Sequence, residues 1–82
     1  MRDEILVLRA RKEEAKRELE RIEIVAARLV ADVRMLLDPY ADSVTELDLR
    51  RAHELMRELY GHWEEARRLK EKIDRITADL GE

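Results

Sequence analysis

Apolar residues recur along the first half of the chain at alternating spacings of three and four: Ile5, Leu8, Ala15, Leu19, Ile22, Ala26, Leu29, Val33 and Leu36, with Lys12 as the charged member of the series. At 100° per residue this spacing holds one stripe of a helix toward a single neighbour. The second half repeats the pattern through Ala52, Leu55, Leu59, His62, Ala66, Leu69, Ile73, Ile76 and Leu80. Between the stripes lies Asp38-Pro39-Tyr40-Ala41-Asp42-Ser43, with the chain's one proline. Proline restricts the residue before it and lacks a backbone donor, so the first helix is expected to stop near Leu37. Two restart signals follow. Asp38-Pro39 suits an N-cap with proline at the first helical position, and Ser43-Val44-Thr45-Glu46 has capping-box spacing.

The pattern predicts an all-α fold, an antiparallel two-helix hairpin of coiled-coil type forming one domain over 1–82. The expected helices cover 3–37 and 43–80, joined by a turn at 38–42 that holds a short helical turn. In so tight a hairpin, facing residues have numbers that sum to about 81, which sets Leu8 opposite Ile73 and Ile22 opposite Leu59. Helices of this length make a rod about 50 Å long.

A second apolar line departs from this simple seam. Ile24, Ala27, Ala31 and Met35 point roughly 120° to 200° away from the first stripe, and Leu49, Met56 and Tyr60 do the same on the second helix, with Trp63 at the border. Under the expected pairing both lines fall at one height beside the loop and read as one patch. Toward the termini the outer surface is charged, as over 11–16 and 67–72. A contiguous apolar patch rimmed by charge ordinarily marks association. The expectation is a homodimer whose loop halves form a four-helix bundle.

Charged residues make up 45% of the chain, and the 20 acids against 17 bases leave a net charge of -3. That balance supplies no basic field for a polyanion, so nucleic acid is not an expected partner. No apolar run approaches a membrane span, and Asp3 and Glu4 stand where a signal peptide is basic; a cytoplasmic protein without membrane contact is expected. Cysteine is absent, which excludes disulfides. Asn and Gln are absent too and Arg outnumbers Lys, a composition reported for heat-adapted proteins that a GC-rich genome explains equally well.

Few residues invite chemistry. His62 falls on the stripe with Glu58 one turn before it, and such a pair is either a metal or acid-base site or a packed, hydrogen-bonded histidine. The Glu-x-x-His spacing of di-metal bundles is missing, and His53 lies on the opposite side of the helix, so the structural role is expected. Lys12 and Asp48 fall on or beside the seam; Lys12 can extend its stem to solvent, and Asp48 suits the first turns of a helix. Gly61 costs a helix about 1 kcal/mol relative to alanine and points away from the seam, which leaves a mild kink or a contact with another chain.

Tyr60-Gly61-His62-Trp63-Glu64 resembles the Tyr-x-x-x-acid export motif of secreted WXG-type helical hairpins, but the turn carries no Trp-x-Gly, and no family is assigned. No catalytic set, metal site or cofactor is expected. The sequence reads as a non-enzymatic interaction module whose partner is itself, or alternatively as an adaptor, chaperone or regulatory subunit receiving a helix of a different protein.

Overall fold

Two helices account for most of the chain: α1 over Arg2–Leu36 and α2 over Leu49–Leu80, separated by a connection that holds one 3-10 turn, Val44–Glu46. The computed structural model describes residues 2–82, with Met1 and the side chain of Arg2 outside the description. No strand occurs among the described residues, and the molecule measures 64 × 18 × 15 Å. Asp3 and Glu4 in the first turn of α1 and Arg34 in its last suit the helix dipole. Gly81 ends α2 in the left-handed region at φ 74°; its N–H reaches the Ala78 carbonyl and that of Glu82 the Thr77 carbonyl. These bonds satisfy carbonyls that the last turn would otherwise orphan.

The first helix stops as the proline requires. After one last bond from the Leu37 N–H to the Val33 carbonyl, Asp38 takes over, its carboxylate accepting from the Tyr40 N–H at 2.9 Å and its carbonyl from the Ala41 N–H. The second helix begins later than the expected residue 43. Ser43 caps only the 3-10 turn, its hydroxyl accepting from the Thr45 N–H at 3.2 Å. Leu47 is extended, and Asp48 then caps α2 by accepting from the Arg51 N–H at 3.0 Å. Helical spacing explains the delay. A helix continued back to Ser43 would present Thr45 and Asp48 to the seam, where neither offers an apolar surface to bury.

With the longer connection goes a pairing displaced by one heptad. Every stripe residue from Leu8 to Leu36 and from Ala52 to Leu80 is buried or half-buried. Their arrangement follows numbers summing to about 88 instead of 81. Leu29, Val33 and Leu55 form the buried cluster, with Leu36 and Leu59 packed on it. At the far end Lys12 Nζ reaches Glu82 Oε2 at 2.8 Å, a contact the shorter register would leave well over 10 Å apart by helix rise. Leu8 therefore lies across from Leu80, not Ile73, and Ile22 from Ala66, not Leu59. Asp48, which a sum of 81 would set opposite Val33, lies clear of it.

Volume decides between the two registers. In the observed one, large residues meet small ones: Leu36 across from Ala52, Ile22 from Ala66, Ile73 from Ala15. The alternative sets Ala15 against Ala66, a void, and a carboxylate against Val33. The displacement leaves α1 overhanging α2. Ile5 has no residue across from it and is 47% exposed, beside exposed Leu6 and Val7. The first turns of α1 are thus an exception to the charged surface expected near the termini.

Candidate functional site

On one flank of the seam the helices part to form a groove of about 410 Å³, its wall exposing only apolar atoms. Ile22, Ala26 and Val30 of α1 form one side; Met56, Leu59, Tyr60, Trp63 and Ala66 of α2 form the other, with Glu23 and His62 completing it. Packing explains the opening. Ala26 and Ala66 are too small to close the gap beside the seam, so Tyr60 and Trp63 lean along its rim, their ring centroids 5.5 Å apart and tilted by 31°. Arg67 lays its guanidinium 4.9 Å from the centre of the Trp63 ring, a cation-π contact that fixes the indole.

Of the residues expected to make the patch, the groove brings together Met56, Tyr60 and Trp63. Ile24, Ala27, Ala31 and Met35 are not among its lining. They are exposed on the outer face of α1, Ile24 at 73% and Met35 at 78%, and Met35 borders a shallow depression at the loop end with Tyr40 and Leu47. Leu49 is exposed at the start of α2, beyond the groove. The two lines share a height but not a face. Height follows from residue number; flank follows from rotation, and in an antiparallel pair a residue slightly clockwise of one stripe neighbours residues clockwise of the other. Val30 meets that condition with Met56 and Trp63. Its rotation was the signal for a groove residue that reading the outer line alone misses.

His62 sits at the groove's edge, half-buried. Among the side-chain hydrogen bonds of the described residues none joins His62 to Glu58, which is exposed one turn before it, or to a carboxylate of the facing helix. No buried side-chain nitrogen or oxygen of the described residues lacks a partner, so the His62 ring nitrogens are not sealed from solvent. Lys12, its side chain 13% exposed, lays its stem along the seam and turns its ammonium to Glu82. The Lys12 hydrogen bond, and then its charge, hold the Glu82 carboxyl below the usual glutamate range. α2 runs unbroken through Gly61, and a Cβ there would meet nothing within 4 Å.

Among the described residues no three His, Cys, Asp or Glu side chains converge to hold a metal ion, and no helix is long and apolar enough to cross a membrane. The fold is that of a two-helix hairpin with one open apolar flank. Protein-family models, characterised proteins and solved structures offer no match to this chain.

Proposed function

We propose that this chain is a non-enzymatic self-association module, and that a second copy covers the groove to complete a four-helix homodimer. The observation that carries the reading is the groove itself: an apolar, aromatic-rimmed channel on a molecule whose seam already uses its stripes. Apolar surface is stabilised by about 25 cal/mol for each Å² removed from water, and a patch of this kind is ordinarily covered. Charge supports a second copy as the occupant. Glu23 edges the groove on α1, and Arg67 stands at nearly the same height beside Trp63 on α2. A two-fold axis along the rod, with both loops at one end, brings each Glu23 toward the other copy's basic edge.

The test is light scattering at micromolar concentration. A homodimer is expected, and Val30→Glu with Met56→Glu should reduce it to a folded monomer, while Ile24→Glu leaves it intact. A monodisperse folded monomer of the unaltered chain would refute the reading. One observation favours a second reading, an adaptor that receives a helix of another protein: Ile24, Ala31 and Met35 are exposed on the outer face of α1, away from the groove. Dissociation by Ile24→Glu but not by Val30→Glu would move the interface to that face.

A further inference from the structure

We infer that the hairpin has a second, minor register displaced by one heptad, in which α2 starts from Ser43 and the apolar groove is erased. The stripes pair in that register as well. Leu19 meets His62 there instead of Leu69, and Ile5, exposed in the observed arrangement, gains Ile76 as its partner. The connection is already built toward it. The Glu46 N–H bonds the Ser43 carbonyl at 3.0 Å, that of Leu47 bonds Val44, and the Glu46 carboxylate accepts from the Asp42 N–H at 3.1 Å. This is the opening turn of a helix, held apart from α2 by the extended backbone at Leu47.

Cap and register change together. Starting α2 at Ser43 shortens the connection, moves its midpoint toward the proline and so draws facing residues toward numbers that sum to about 81. Ala15 then faces Ala66, Asp48 faces Val33, and Lys12 loses Glu82, which makes this register the minor one. The consequence falls on the groove. A heptad is about 10 Å of helix, and after that shift Met56 and Trp63 lie beside the stretch of α1 whose groove flank carries Lys16 and Glu23 in place of Val30. Whatever covers the groove binds only the observed register and holds the chain in it. That coupling rests on the self-association proposed above; the pair of registers does not.

Because the chain has no cysteine, engineered pairs report each arrangement as an intrachain disulfide, separable from interchain products on a non-reducing gel. Leu19→Cys with Leu69→Cys reads the observed register, and Leu19→Cys with His62→Cys the slipped one. Leu19→Cys with Ile76→Cys needs an equal slide the other way, which no cap supports. Disulfides need Cα atoms within about 7 Å, so neither displaced pair closes without sliding or unfolding. In a thiol redox buffer the 19/62 pair should close at roughly 0.1–10% of the 19/69 rate, the range of a minor state, and clearly faster than 19/76. Ser43→Ala should slow it and Asp48→Ala speed it. If 19/62 closes no faster than 19/76, both report unfolding and the second register is refuted. The oxidised 19/69 chain should associate and the oxidised 19/62 chain should not. Equal association of both refutes the coupling to the groove; failure of both, with the closure rates as expected, refutes self-association and leaves the two registers standing.

Discussion

Single side chains on the seam divide into those that fill and those that reach. Leu55 lies within the buried cluster with Leu29 and Val33. A two-helix seam is thin and collapses readily, so Leu55→Ala is expected near the low end of the usual range, a loss of about 2 kcal/mol in chemical denaturation. Ala15, 3% exposed across from Ile73, has no spare volume; Ala15→Leu should cost about 1–3 kcal/mol by overpacking. Lys12 reaches. Since its partner's folded pKa is depressed, the contact stabilises the end of α2 above the ordinary glutamate range and is lost as pH falls through the lowered value. Carboxyl NMR should find Glu82 titrating below an exposed glutamate, and Lys12→Met should raise its midpoint toward the ordinary one. An ion pair at an exposed end contributes little, so that variant should melt no lower than the parent. Stripe membership was legible in the sequence at these positions. The partner of each residue was not, because an apolar heptad pattern repeats itself every seven residues, and only the volumes of facing side chains separate its two placements.

At the scale of elements, α1 and the stripe of α2 follow from spacing, whereas the start of α2 depends on a contest between two caps. Ser43 with Glu46 has the stronger sequence signature, yet Asp48 begins the helix, because Thr45 and Asp48 would otherwise face the seam. Removing the winning cap by Asp48→Ala should lower stability by about 1 kcal/mol, with lost amide protection over the first turn of α2. Gly61 offers the opposite change. Helix continues on both sides and nothing occupies the space of a Cβ, so Gly61→Ala should add up to about 1 kcal/mol, read as a raised melting temperature. The added methyl points away from the groove and should leave association unchanged. Only half of the candidate site was legible. Met56, Tyr60 and Trp63 stand out as apolar positions off the stripe, but their neighbours across the seam follow from flank and register, and register turns on the side-chain volumes that meet across the seam.

The whole molecule is a rod 64 Å long with no interior beyond its seam. A side-by-side dimer through the groove adds width and little length. Small-angle scattering should therefore give a maximum dimension close to that of one copy, whereas joining through the loop ends would nearly double it. The alternation of bulky and small residues along the seam gives this rod a further property. It works as an address that each helix carries by itself. If the backbone were cut within the exposed connection, at 42–43, the two pieces should still find each other with Leu8 across from Leu80, at a concentration set by the lost tether. The connection supplies proximity; the mutual position of the helices is inscribed along their own lengths, so the hairpin is in effect two separately addressable parts that happen to share one chain.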